Sequence, residues 1–379
     1  MSRITLVVSS LTSGGAERVA ANVASVLHHA GHIVTVVTRH PASADDYILP
    51  EAIARRVVSR VPPARGIVRR LLHARRRSDL LHKTIAATDP QLVVTFTTDL
   101  NIRVLLRLRA VPVVITEHTN PNLARAKLKL RVFRRVLYPR AQALICVSKG
   151  VASFFSWMPE GRVRVIYNSL PPDAYRVSTP AERDTVDVPL RDGMRYVLSC
   201  GRLAYPKAFD VLIEAFAQAM SAISSSSDID SNAWRLGILG SGPDEEKLRA
   251  LAQRSGIADQ VDFLGRSSFP LSVMRRSEIF VLSSRYEGFG NVLIEAMSQG
   301  VPVIATDCDY GPAEIVEPGE SGILVSPDSP QQLAEAIVRL TNDDNLRKEL
   351  AKGARARSER FSHERIGQEW LNLVQGIVA

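Results

Sequence analysis

Residues 284–307 read SRYEGFGNVLIEAMSQGVPVIATD, and they set Glu287 and Glu295 about an otherwise apolar, glycine-bearing stretch. Shortly before it, residues 279–282 are aliphatic and aromatic and predict a buried strand. Residues 283–290 form the loop at that strand's carboxyl end. A helix starts near Asn291 and runs to about Gln299, where Gly300 can stop it. A second strand follows at 301–305. Glu287 therefore falls on the loop and Glu295 in the second turn of a mostly buried helix. Phe289, Gly290 and Asn291 present backbone N–H groups at the helix start, where donors lack intrahelical partners and favour a phosphate. Gly290 lets a ligand approach the backbone closely. A buried carboxylate such as Glu295 needs hydrogen-bond donors to offset its desolvation. Sugar or ribose hydroxyls could supply them, as could the backbone or an arginine.

The same strand–loop–helix alternation extends in both directions. Apolar strands are expected at 4–9, 32–38, 92–96, 111–116 and 143–147, with a glycine turn at 14–15 and a helix over 17–30. Residues 168–195 are proline-rich and polar and read as a linker. The pattern restarts with strands at 196–200, 235–239, 261–264, 279–282, 301–305 and 323–325. Helices are expected at 209–220, 244–254, 330–341, 343–358 and 362–377, with a Ser/Asp-rich surface loop at 221–232. This is an α/β chain of two doubly wound, Rossmann-like domains facing a cleft. The expected boundaries are 1–170 and 171–359, with the terminal helix, 360–379, packing back on the first domain. Ligands are expected at strand carboxyl ends and in the cleft.

Composition narrows the class. A chain of 379 residues that is 45% hydrophobic and 23% charged can bury two cores and is globular. No apolar run is long enough to span a bilayer, and residues 4–8 read as a first buried strand rather than a signal peptide. Cys146, Cys200 and Cys308 are far apart and read as reduced core thiols of a cytoplasmic protein. The net charge of +9 conceals a division. Residues 1–170 hold 26 Lys/Arg against 9 Asp/Glu, while residues 171–379 carry a net −8. Two stretches, 65–83 and 125–140, mix Arg/Lys with aliphatic residues at helical spacing. Such helices suit an anionic membrane surface. A solvated basic face is the plainer alternative. A nucleic-acid surface fits poorly, because aromatics rarely interleave with these charges.

A second cationic stretch, SCGRLAYPKAFDVLIEAF (199–216), places Arg202 and Lys207 on the loop after a strand and before an apolar helix. Two cations there suit a diphosphate. With Glu287 and Glu295 spaced E-x7-E, these residues resemble the family-4 retaining glycosyltransferases of the two-domain GT-B fold. The resemblance spans nearly the whole chain. It includes LTSGGAERVAANVASVLHHAGHIVTVVT (11–38), VITEHTNP (114–121), GILGSGPDEEKLRALA (237–252) and VDFLGR (261–266).

That resemblance implies roles. Arg202 and Lys207 neutralise the donor diphosphate, and amides at Gly290 and Asn291 hold its distal phosphate. Glu295 accepts from the ribose hydroxyls, Glu287 grips hydroxyls of the transferred sugar, and Phe263, Gly265 and Arg266 lie near the base. Gly14 and Gly15 let the first domain close over the diphosphate. His118 binds the sugar or orients the acceptor; a lone histidine after a strand is otherwise more often structural. One departure is plain: the family commonly has glycine after the lysine, and here Ala208 follows Lys207. Its methyl is tolerable if the backbone angle is ordinary. No metal or other cofactor is expected, because the two cations already supply positive charge. Asp307-Cys308-Asp309 and Asp228-Ile229-Asp230 are D-x-D in form, the first following a strand and the second in a Ser-rich loop. Gly240-Ser241-Gly242 is weak dinucleotide evidence, and there is no G-x-S-x-G elbow or Walker lysine.

The expected activity is transfer of a hexose or N-acetylhexosamine from a nucleoside-diphosphate sugar, UDP before GDP, to a hydroxyl. The basic first half suits a polyprenyl-diphosphate- or otherwise lipid-linked glycan acceptor in surface-polysaccharide or lipopolysaccharide assembly. The enzyme is then peripheral on the inner face of the plasma membrane, with no nucleic-acid partner. The alternatives are a nucleotide-sugar 2-epimerase or phosphorylase on the same fold, or a non-catalytic binder of nucleotide sugars or nucleic acid.

Overall fold

The computed structural model describes residues 1–12, 14–43, 46–58, 67–121, 128–172, 174, 186–226 and 230–378. Contacts divide the chain into two compact units, Met1–Ser169 with His363–Ala379, and Leu170–Ser362.

The first unit is built from strands β1 (Arg3–Val8), β2 (Ile33–Thr38), β3 (Ala54–Val57), β4 (Leu92–Phe96), β5 (Val113–Glu117), β6 (Ala143–Cys146) and β7 (Val163–Val165). Its helices are α1 (Gly15–His29), α2 (Ile67–Ala86), α3 (Thr98–Leu105), α4 (Leu128–Leu137) and the short α5 (Lys149–Ser153). The sheet order is β3-β2-β1-β4-β5-β6-β7, and every pairing is parallel. Strands β4 and β5 are buried throughout, as expected for a parallel sheet covered on both faces.

The second unit holds β8 (Arg195–Cys200), β9 (Trp234–Leu239), β10 (Val261–Gly265), β11 (Ile279–Leu282), β12 (Val303–Thr306) and β13 (Gly322–Val325). Its helices are α6 (Phe209–Ser226), α7 (Glu245–Arg254), α8 (Pro270–Arg275), α9 (Asn291–Ser298), α10 (Pro312–Ile315), α11 (Pro330–Asn342) and α12 (Asp344–Ser358). Its parallel sheet runs β10-β9-β8-β11-β12-β13. The final helix, α13 (His363–Val378), belongs to the first unit. There Ile366, Trp370, Leu373 and Val374 join the core that includes Val19, Val23 and Leu27 of α1. Gly367 permits this approach, since a Cβ there would stand 3.1 Å from a Val26 methyl.

One reading needs correction. The loop expected at 221–232 is helical through Ser226, because Ile223 is fully buried in the core of the second unit. Ser225 also returns its hydroxyl proton to the Ser221 carbonyl at 2.8 Å, so the polar run is satisfied within the helix. Asp228 and Ile229 lie outside the described residues, and Asp230 caps the short turn that follows. Strands β3 and β7 had no sequence signal: they are short, basic edge strands, ARRV and VRV. Of the basic stretch 65–83, Arg75, Arg76 and Arg77 are exposed on α2, while the side chains of Arg69 and Arg70 lie outside the described residues. No helix among the described residues is long and apolar enough to cross a membrane.

Candidate active site

In a doubly wound sheet, ligands bind where adjacent strands send their connections in opposite directions. In the second unit that switch lies between β8 and β11, the adjacent central strands. Arg202 and Lys207 follow β8, while Glu287, Gly290 and Asn291 follow β11. Arg202 is exposed on its loop, and Lys207 closes a 3-10 turn, Tyr205–Lys207. The two loops are tied together. The Lys207 ammonium donates to Glu287 Oε1 at 2.5 Å, and Ser284 Oγ donates to the same oxygen at 2.7 Å. Ser283 Oγ donates to the Lys207 carbonyl at 2.9 Å, and the Thr306 hydroxyl donates to the Ser284 carbonyl at 2.5 Å. The expected diphosphate cation and the expected sugar carboxylate are thus paired with each other.

Beside this pair stands the start of α9. Gly290 is its N-cap with φ 105°, a conformation that favours glycine, and no side chain caps the helix. The first-turn amides and the positive end of the helix therefore face the β8–β11 loops. Glu295, one turn further on, is 4% exposed, as its helical position predicts. Behind Glu287 the Cys308 thiol is pushed up to about 12 by burial and by the Glu287 charge, and so stays protonated.

Ala208 corrects a second expectation. Its backbone is left-handed, with φ 48° and ψ 43°, and its methyl is 1% exposed. An L-residue there is strained by about 1–2 kcal/mol, against about 0.8 kcal/mol gained by burying a methyl group. These terms nearly cancel, which is how alanine stands where the family commonly has glycine. Ala208→Gly is accordingly expected to move the melting temperature by only a few degrees. Ala208→Val, β-branched in the same conformation, is expected to cost about 2 kcal/mol of stability or more and to lower the melting temperature accordingly. Thermal denaturation of both variants checks this.

Phe263, Gly265 and Arg266 lie at the carboxyl end of β10, two strands from β8 and so about 10 Å along the sheet. One face of the Phe263 ring is covered by the Arg249 guanidinium, 4.3 Å from the ring centre. The Gly265 carbonyl accepts from Gly240 N–H at 2.6 Å. Gly240 has φ 142°, and a Cβ there would fall 1.9 Å from the Gly201 carbonyl oxygen. The Gly-Ser-Gly stretch therefore serves to seat the Arg202 loop. Asp307 and Asp309 are exposed after β12. Among the described residues, no three His, Cys, Asp or Glu side chains gather as metal ligands would.

In the first unit, Gly14, Thr97 and His118 follow β1, β4 and β5, three adjacent strands, and so share one end of that sheet. Gly14 is extended and caps α1, which begins at Gly15; Glu17 folds over Gly14, and burial raises its carboxyl pKa. Thr97 has φ 120°, an outlier for a β-branched residue, and sits at the β1–β4 switch.

His118 stacks on Phe96 with ring centres 5.9 Å apart, and its Nε2 is 2.8 Å from Thr116 Oγ1. The Thr116 hydroxyl proton goes to the Thr95 carbonyl at 2.9 Å. Thr116 Oγ1 must then accept from Nε2–H, which leaves Nδ1 as the bare acceptor. Nδ1 is buried and meets no partner among the described residues. Burial lowers the His118 pKa to about 4, so the ring is neutral at pH 7.

The preceding residue, Glu117, is 1% exposed and anchors a buried network. It accepts from Thr98 Oγ1 at 3.0 Å, from Arg134 at 3.3 Å and from the Tyr138 hydroxyl. Desolvation raises its pKa, with Arg134 acting in the opposite direction. Sequence reading had no access to Ser284, Thr116 or this network. The linear trace of Ser284 and Thr116 is proximity to a strand end and to Glu287 and His118, whereas the partners in the Glu117 network are 17–36 residues apart.

Two parallel α/β sheets in one chain, each presenting polar loops at its switch point, define the two-unit GT-B class. Residues 13–174 match the Glycosyltransferase Family 4 description, and residues 181–357 match Glycosyl transferases group 1. The chain belongs to this family of glycosyltransferases. An exopolysaccharide phosphotransferase of Streptomyces coelicolor is 33% identical over 248 residues, which make up 64% of this chain but only 24% of that one. A Campylobacter jejuni protein is 26% identical over 380 residues, 99% of this chain and 98% of that one. It is described as GalNAc-alpha-(1->4)-GalNAc-alpha-(1->3)-diNAcBac-PP-undecaprenol alpha-1,4-N-acetyl-D-galactosaminyltransferase. The crystal structure of Anabaena HepE with UDP and glucose shares the fold, with a TM-score of 0.80 at 22% identity, covering 99% of this chain and 100% of that one.

Proposed function

We propose that this enzyme is a retaining transferase that moves a hexose or N-acetylhexosamine from a nucleoside-diphosphate sugar to a hydroxyl of a lipid-linked glycan. The observation that carries the reading is the Lys207–Glu287 pair beside the start of α9, at the β8–β11 switch. On this reading a donor replaces the pair's mutual contact. Lys207 and Arg202 turn to the diphosphate, the amides of Gly290 and Asn291 take the distal phosphate, and Glu287 takes sugar hydroxyls. Glu295 holds the ribose, and Phe263, Gly265 and Arg266 border the base. Gly14 and Gly15 allow a ligand to come close to the backbone of the first unit, whose His118 offers Nδ1 to a hydroxyl.

The chemistry balances without a protein nucleophile. The bond from the anomeric carbon to the diphosphate oxygen breaks as the acceptor oxygen attacks from the same face. The acceptor's proton passes to the departing phosphate oxygen. The side chains' task is to stabilise charge growing on the diphosphate. Two cations and a helix start can do this, so no metal is required on this reading.

UDP is the favoured donor nucleotide, supported by the fold shared with a UDP-bound structure. An undecaprenol-linked acceptor is named for the Campylobacter relative, and exopolysaccharide phosphotransfer for the Streptomyces one. Both agree with the charge of the first 170 residues and with a place on the inner face of the plasma membrane.

The test is a panel of UDP- and GDP-sugars incubated with membrane lipid extract in EDTA. Nucleoside diphosphate release is measured, with the anomeric configuration of the product read by NMR. The expected result is release with one donor, dependent on extract, with retained configuration, and lost in Glu295→Ala. Donor conversion without any acceptor would indicate an epimerase instead, and an inverted product would contradict retention.

A further inference from the structure

Helix α4 is turned inside out. Val132, Phe133 and Val136 are 54%, 43% and 56% exposed, whereas Arg134 is 4% exposed. At about 100° per residue, Val132, Val136 and Phe133 share an arc of about 100°, with Arg134 on the opposite side and the buried Leu137 between Arg134 and Phe133. A helix of a globular unit normally turns its apolar stripe to the core. The inner face of α4 has a reason to depart from this: Arg134 neutralises the buried Glu117 and also donates to Thr98 Oγ1 at 2.8 Å. Among the described residues, packing within the unit supplies no comparable reason for the outer face.

The sequence that contains this helix is one-sided in charge. Residues 118–159 contain eight Lys/Arg and no Asp/Glu. Arg131 and Arg135 are exposed along one flank of the apolar arc. The Arg135 guanidinium lies 4.5 Å from the centre of the half-buried Trp157 ring, so an indole borders the patch.

We propose that α4 is a membrane-contact helix. Val132, Phe133 and Val136 enter the acyl boundary, Arg131 and Arg135 bind phosphates of anionic phospholipids, and Trp157 sits at headgroup level. Nucleic acid would leave the aliphatic arc unused. A second copy would bring the arginines flanking the two apolar arcs together. The inference sharpens the membrane reading attached to the acceptor and does not depend on the donor chemistry. It also places lipid contact and the His118 site on two sides of one helix, since Arg134 holds the residue before His118.

Co-sedimentation with phosphatidylcholine vesicles, with and without phosphatidylglycerol, tests this. Wild-type protein should bind the anionic vesicles. The triple variant Val132→Ser, Phe133→Ser, Val136→Ser should bind them about tenfold more weakly or worse. Its melting temperature should not fall, because these side chains are exposed. Arg131→Gln with Arg135→Gln should weaken binding at low salt and matter less at high salt. Undiminished binding by the triple serine variant would overturn this face while leaving membrane attachment through α2 intact. No binding by the wild type would overturn both. Wild-type self-association that the serine variant abolishes would replace the lipid with a second copy.

Discussion

Glu287→Ala should lower kcat/KM for the sugar donor by about 10²- to 10³-fold, or about 3–4 kcal/mol of transition-state stabilisation. The carboxylate has two tasks, and alanine removes both. On the proposed reading it positions sugar hydroxyls once the donor is bound, and before that it holds Lys207 at the switch point through the 2.5 Å contact. Lys207→Ala should cost a similar factor for a complementary reason. It removes a cation from the growing diphosphate charge and leaves Glu287 uncompensated near that same charge. The two residues act as a unit, so the double variant should lose less than the product of the single losses. Initial rates of nucleoside diphosphate release from the four proteins give the cycle. Strictly multiplicative losses would show that the observed pair is incidental to the reaction.

His118→Ala should reduce kcat by about 10- to 10²-fold, and the substitutions that rescue it should discriminate between the ring nitrogens. The hydrogen bonds through Thr116 leave Nδ1 as the acceptor. Asparagine places an oxygen near the Nδ1 position and should retain more activity than glutamine, which reaches toward Nε2. Thr116→Val frees the tautomer and should lower kcat more than it raises the donor KM. The pH dependence has a definite sign. The folded pKa of about 4 lies below the unfolded value of about 6.5. As pH falls through 6.5, the unfolded chain takes up this proton first. The stability contributed by neutral His118 is therefore complete above about 6.5 and is lost as pH drops toward 4. His118→Asn should show a smaller fall in melting temperature between pH 7 and pH 5. An equal fall would place the titration elsewhere.

Much of this was legible along the chain, for physical reasons that differ by element. Strands 92–96 and 279–282 stand where the sequence predicts them, because strands of a covered parallel sheet are unbroken apolar runs. The helix at Asn291 is equally legible, since Gly290 precedes it and Gly300 follows it. What stayed hidden depends on the third dimension. Arg134 reads as one more cation in a basic helix, yet it is the buried partner of Glu117, 17 residues away. Lys207 and Glu287 both read as ligand-binding groups, and their mutual contact appears only when β8 and β11 lie side by side. The left-handed angle at Ala208 has no linear signature, because alanine rarely adopts it.

The most direct test is calorimetric titration of UDP into the protein in EDTA, repeated with Mg²⁺. The variants Arg202→Ala, Lys207→Ala and Asp307→Asn/Asp309→Asn are titrated alongside. If side-chain cations and the start of α9 hold the diphosphate, UDP binds equally with and without the metal. Each cation variant then weakens binding by about tenfold, and the aspartate variant binds as the wild type does. Binding that requires Mg²⁺ and fails in the aspartate variant, or that ignores the loss of Arg202 and Lys207, would contradict the account.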